Sequence, residues 1–244
     1  MRRWKMLSLF GGLSALTLST TANAELIIGL TTSQQLVRFD SATPGTINGT
    51  SPLITGLSLG ESIVDIDFYP VNNLLHGLGT TGNLYRIDPF TGLATLDATP
   101  QSSLGSPLDI DFNPAADRLR IFSAGDANFR MTPSVGTAGP NGANAGLVTP
   151  DGTLSYGNAT DPNLVGAAYT NNFDGTATTT LYSLDTGTNN LASTAAVPRS
   201  RHWQRSGRSA LTSDRSSVST FRLRPSPTSP MATTFTRLPS AAAH

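Results

Sequence analysis

The chain has 244 residues, no cysteine, and equal numbers of basic and acidic side chains, 16 of each, so its formal net charge is zero. Without cysteine it has no disulfide, no thiolate metal ligand and no cysteine nucleophile. The neutrality joins two unlike parts: residues 25–198 hold fifteen acids against five arginines, whereas residues 199–244 hold eight arginines, no lysine and one acid, Asp214.

Taken in chain order, the first element is a predicted secretory signal peptide. It has a cationic start (Arg2, Arg3, Lys5), an apolar centre from Met6 to about Leu18, and Ala22-Asn23-Ala24 before Glu25. Gly11, Gly12, Ser14 and Thr17 interrupt the apolar run, which falls short of the ~20 apolar residues of a membrane span. No second run of spanning length follows. Cleavage after Ala24 is expected to yield a secreted, periplasmic or cell-surface product with no membrane span.

The body repeats. "IVDIDFYPVNNLLHGLGTTGNLYRIDPFTG" from Ile63 and "PLDIDFNPAADRLRIFSAGDANFRMTPSVG" from Pro107 match at a spacing of 44, bringing Asp65 onto Asp109, Asp67 onto Asp111, Phe68 onto Phe112 and Arg86 onto Arg130. A partial copy from Leu26 to Gly45 places Arg38 in register 48 residues before Arg86, and a later copy from Leu164 to Thr194 keeps the frame without the Asp pair. Within a unit, Val64, Ile66 and Phe68 alternate with Asp65 and Asp67, which is strand periodicity. A turn follows at Pro70 to Asn73, then strands at Leu74 to Leu78, at "LYRID" and, after "PFTG", at "LATLD". The Pro of Asp-Pro-x-Thr-Gly presets φ and its Gly is free to take positive φ, which suits a tight connection.

Four short antiparallel strands in 44 to about 50 residues make one propeller blade. The predicted fold is therefore all-β, a β-propeller-like array of four-stranded repeats with about four of five blades present. Solenoid coils are usually shorter, and sandwiches do not repeat at this period.

The phrases "GLTTSQQLVRFDSATPG", "GESIVDIDFYP", "NLYRIDPFTG" and "NLVGAAYTNN" followed by "TTTLYSLDTG" resemble a family of exported bacterial proteins, domain of unknown function 4394, over Glu25 to about Ala196. The resemblance implies a secreted, propeller-like repeat domain without an assigned activity or catalytic residue. It also implies a continuation of the type "VGPLGVD…VGFDIS" after "LASTAA", from which this chain departs. With synonymous codons chosen freely, a slipped reading frame over "HWQRSGRSALTSDR" gives "LATVGPLGVDFGP". Residues from about Val197 onward accordingly read as out-of-frame translation. The expected organisation is a signal peptide at 1–24, a truncated repeat domain at 25–198 and a disordered tail at 199–244. The intact product would have about five blades, the fifth and the closing strand falling in the lost frame.

Candidate chemistry is sparse. His76 is the only histidine of the body, expected on a strand and facing solvent or a neighbouring blade. There is no phosphate loop. The arginines from Arg199 to Arg208 around Trp203 lie in the tail and are not read as a nucleic-acid arm. Asp65, Asp67, Asp109 and Asp111 are the metal candidates, since same-face carboxylates on equivalent strands could converge on Ca²⁺. The favoured alternative makes them structural, accepting hydrogen bonds from turn backbones or pairing with Arg38, Arg86 and Arg130 between blades. No catalytic or cofactor-binding residue is assigned. The inventory favours a non-catalytic exported propeller that binds an unknown ligand or cell-envelope component. The competing class is a propeller enzyme of lactonase or quinoprotein type with a central metal or cofactor.

Overall fold

A computed structural model describes residues 24–125, 127–152, 154–156, 162–194, 203–208 and 221–223. The strands in chain order are β1 (Leu26–Leu30) and β2 (Leu36–Asp40); β3 (Ile63–Tyr69), β4 (Leu74–Gly79), β5 (Leu84–Ile87) and β6 (Ala94–Ala98); β7 (Pro107–Asn113), β8 (Arg118–Ser123), β9 (Ala127–Met131), the short hairpin β10 (Val135–Gly136) and β11 (Gly139–Pro140), and β12 (Val148–Pro150); then β13 (Leu164–Tyr169), β14 (Leu181–Asp185), β15 (Asn190–Thr194), β16 (Trp203–Arg208) and β17 (Phe221–Leu223). They form four consecutive antiparallel sheets in the orders β17-β1-β2, β3-β4-β5-β6, β7-β8-β9-β12 and β13-β14-β15-β16. The first strands β3, β7 and β13 lie side by side. This is the all-β, propeller-like array that the repeat predicts. Residues 1–23 of the proposed signal peptide lie outside the described residues.

The core lies in the seams between sheets. Ile28, Leu36, Ile66, Phe68, Leu75 and Ile87 fill the first seam, Tyr69, Leu84, Ile110, Phe112, Leu119 and Met131 the second, and Phe122, Leu164, Ala167, Tyr169 and Leu181 the third. Each sheet is thus covered by its neighbours, and one unit could not bury its apolar face alone. The turn after β5 closes as its composition requires. Gly92 adopts φ 75°, and a Cβ there would stand 2.3 Å from the Leu53 carbonyl oxygen. Only glycine meets both demands without strain.

Two segments of the tail expected to be structureless are strands. β16 pairs with β15 from Asn190↔Arg208 to Thr194↔Trp203, and β17 pairs with β1 through Ile27↔Leu223, Ile28↔Arg222 and Gly29↔Phe221. The physical reason is that β1 and β15 each present an edge of unpaired N–H and C=O groups. Such an edge is satisfied by backbone, which every sequence carries. The rest of 199–244 lies outside the described residues.

Candidate functional site

The first strand of each sheet is an edge strand, so half its N–H groups face away from its own sheet and need acceptors. For β7 and β13 the sheet before supplies them. Asp65 Oδ2 accepts from Ile110 N at 2.9 Å and Asp67 Oδ2 from Phe112 N at 2.8 Å. One seam on, Asp109 Oδ2 accepts from Ala167 N at 2.6 Å and Asp111 Oδ2 from Tyr169 N at 2.8 Å. All four carboxylates are buried. The four metal candidates are therefore divided between two seams, where they staple strand to strand.

Their partners differ from the expected ones. They are strand amides, not turn amides, and the three arginines are held elsewhere. Arg38 donates to Pro89 O at 2.7 Å and Thr50 O at 3.1 Å and lies over the Phe90 ring. Arg86 pairs with Asp97 at 3.3 Å and Arg130 with Asp151 at 3.2 Å. Among the described residues no group of three His, Cys, Asp or Glu side chains is placed to hold a metal ion.

A second position recurs in the three seams. Ile28, His76 and Arg120 occupy corresponding places on β1, β4 and β8; Ile28 shares a core cluster with Phe68, His76 packs against Phe112 and Arg120 meets Tyr169, the last two aromatics each ending a staple. His76 is almost fully buried, packed edge-on to Phe112 and Tyr69, and its Nδ1–H donates to Leu74 O at 3.0 Å. Burial pushes its pKa below the ordinary histidine range; Asp97 and the Leu74 carbonyl oppose that shift, and Arg86 adds to it. Of the two expected placements, His76 thus faces the neighbouring blade. At Arg120 burial also disfavours the charge, but the Tyr169 hydroxyl and the Asp151 carboxylate outweigh it and raise the pKa. Its guanidinium donates to Asp151 and Asn128 at 2.6 Å each and to the Tyr169 hydroxyl at 3.1 Å.

Sequence reasoning missed this cluster although Arg120 sits in the same register as His76. Asp97 and Asp151 correspond in the sheets but are 54 residues apart, because the β10–β11 hairpin is inserted between them and breaks the spacing of 44. A further buried carboxylate, Glu61, accepts from Tyr85 Oη and Thr81 Oγ1 at 2.5 Å each and from Asn83 Nδ2 at 3.2 Å. Burial opposes its ionisation, but these donors together hold its pKa below the usual carboxylate range.

The first seam is open at the surface. A cleft of about 450 Å³ lies between sheets one and two, walled by Leu26, Ile28, Phe68, Leu75, Phe90 and Leu93, with Asn73, Arg86, Asp88 and Thr95 as polar groups. An apolar body with a few polar groups is the usual makeup of a small-molecule site. Leu74, Phe90 and Leu93 are exposed at the cleft.

Serial antiparallel sheets, three of them four-stranded and stapled first strand to first strand, define a repeat protein of β-propeller type. The chain belongs to the family described as domain of unknown function (DUF4394), whose profile matches residues 35–216 and so runs past Val197, where the change of frame is expected. No curated protein matches it. Similar solved structures include an auxiliary nutrient binding protein from Bacteroides ovatus, 12% identical with a TM-score of 0.45, aligned over 73% of this chain and 46% of that one. Another is the periplasmic gluconolactonase of Pseudomonas aeruginosa, 14% identical with a TM-score of 0.42, aligned over 72% of this chain and 51% of that one. The chain thus spans about half the length of each. Among the described residues no helix is long and apolar enough to cross a membrane.

Proposed function

We propose that this is an exported, non-catalytic binding protein, whose array of sheets serves as a rigid frame for recognising a ligand or an envelope component. The observation that carries the reading is the use of the four inward carboxylates. Each gives Oδ2 to a backbone N–H of the next sheet, so the four are engaged in joining sheets and are divided between two seams instead of converging on one centre. The cleft, by contrast, is mostly hydrocarbon with a few polar groups, which suits binding more than bond-breaking.

The test is calcium and turnover together. A cation bound at about 100 times its Kd would stabilise the fold by about 2.7 kcal/mol. Millimolar Ca²⁺ is expected to leave the melting temperature unchanged, and a panel of lactones is expected to survive incubation with the protein and divalent metals. A calcium-dependent rise that Asp109→Asn removes, or metal-dependent lactone opening, would replace this reading with the enzyme of lactonase type. Dye-linked oxidation of alcohols dependent on an added quinone cofactor would replace it with the quinoprotein.

A further inference from the structure

We propose that the loop joining β13 to β14, together with the β10–β11 hairpin, binds a neutral saccharide, with the Phe173 ring under an apolar sugar face and the Asn172 amide oxygen accepting a sugar hydroxyl. The inference rests on the binding reading above and adds the class of ligand and its place.

Two connections of the array outgrow the repeat. In sheet four, β13 and β14 are joined by residues 170–180, where the turns 70–73 and 114–117 join the corresponding strands of sheets two and three. In sheet three, β9 and β12 are joined by residues 132–147, which carry the β10–β11 hairpin, where 88–93 serves in sheet two. Insertions in a repeat protein gather on one face, often the face that binds. Here the two meet, for Thr137 Oγ1 of the hairpin donates to Asp174 Oδ1 of the loop at 3.1 Å.

Both insertions are tied down. The Asp97 carboxylate of sheet two accepts from Ser134 Oγ at 2.6 Å and from Ser134 N at 3.1 Å, and the Tyr69 hydroxyl reaches Val135 O at 3.0 Å. Asp117 Oδ2 of sheet three accepts from Thr137 N at 2.8 Å. In the loop, Asn171 Nδ2 donates to Thr178 O at 2.9 Å. Gly175, at φ 76°, lets Thr176 N close a turn onto Phe173 O at 3.4 Å. A frame already ordered loses little conformational entropy when it binds.

Within this frame two groups face outward or stand unmet. Phe173 is 55% exposed although its backbone is held in the turn. Asn172 Oδ1 is buried with no hydrogen-bond partner among the described residues. A buried acceptor of this kind calls for a donor, and a ligand hydroxyl is one. A saccharide brings hydroxyl donors around its rim and an apolar C–H face for the aromatic ring. The charged groups at this end are Asp117, Arg118 and Asp174, all close enough to act on the Tyr69 hydroxyl, with Asp97 paired to Arg86 beneath the hairpin. Acids outnumber bases there, so an anionic sugar is repelled and a neutral one preferred.

The test screens the full chain against an array of neutral and uronic-acid oligosaccharides in buffer containing EDTA. Saturable binding of a neutral oligosaccharide is expected. Phe173→Ala, at an exposed position, should fold normally and weaken that binding about tenfold. Asn172→Ala should weaken it about fivefold for loss of one hydrogen bond. Phe90→Ala, which removes an exposed ring at the first-seam cleft, should leave it unchanged. Should Asn172→Ala fail to fold, shifts of the amides of residues 171–179 on titration of the native chain give the same localisation. No neutral oligosaccharide bound, a preference for uronic acids, or binding that appears only when Ca²⁺ is added would overturn the proposal. Binding lost with Phe90→Ala and kept with Phe173→Ala would defeat this site and leave the binding reading standing. Hydrolysis of the bound oligosaccharide, with binding still dependent on Phe173, would defeat the non-catalytic reading and leave this site standing.

Discussion

His76 and Arg120 show how one repeated position is adapted residue by residue. Arg120 keeps its charge in the third seam because Asp151, Asn128 and the Tyr169 hydroxyl surround it. At His76 the corresponding neighbours are Leu84 and Phe112, both hydrocarbon, while Asp67 opposite is engaged by Phe112 N and Asp97 by Arg86. A protonated His76 would therefore lack two of the three polar partners that support Arg120. The folded-state pKa of His76 is lowered, so the unfolded chain takes up its proton first, near pH 6.5. The stability contributed by the neutral ring is complete above that pH. It declines as pH falls toward the lowered folded value, by up to about 1.4 kcal/mol per pH unit. Melting curves from pH 8 to 5 should show a loss that His76→Leu largely removes; equal slopes in the two proteins would show that other groups set the acid sensitivity.

Among elements, the first strands depend most on partners outside their own sheet. β7 and β13 each have two outward amides met by aspartates of the preceding sheet, and a buried amide left without an acceptor costs about 1–3 kcal/mol. Asp111→Ala is expected to destabilise by about 2–3 kcal/mol, because Tyr169 N is left unmet. Asp111→Asn, whose amide oxygen can still accept, should cost about half as much, since a charged acceptor is worth more than a neutral one. Urea unfolding of the two variants measures the difference; equal losses would mean that the charge, not the acceptor, matters at this seam. The motif "DIDF" was legible as a strand from its alternation. That both its faces are buried was not, because the second face is covered by a sheet 44 residues away, and pattern within a window cannot show it.

At the scale of the whole molecule the stapling runs in one direction and stops. In β13 the places of Asp109 and Asp111 are taken by Gly166 and Ala168, the residues preceding the stapled Ala167 and Tyr169, so the fourth sheet has no carboxylates at the stapling positions. At the other end, β17 covers β1 through three residue pairs, where β3 and β7 are each seven residues long. Partly covered edges favour association and lower cooperativity. Replacing residues from Val197 onward with the shifted-frame sequence is expected to narrow the thermal transition and slow proteolysis. Calorimetry and limited digestion of both chains would decide this; a sharp monomeric transition for the 244-residue chain, with no gain on replacement, would count against the slipped frame.

Sequence alone determined the strand repeat, the propeller-like class and the positions of the turns, because alternation, Pro-Gly chemistry and a spacing of 44 are local or periodic signals. It also located the four aspartates, but not their partners. Only tertiary structure decided that they accept strand amides, that Arg38 and Arg120 each reach the next sheet, through the Pro89 carbonyl and the Tyr169 hydroxyl, and that the first seam holds a cleft. These are contacts between sheets, set by which backbone groups each edge leaves unpaired and by how far the next sheet lies from it. That information belongs to the packing and not to any single stretch of residues.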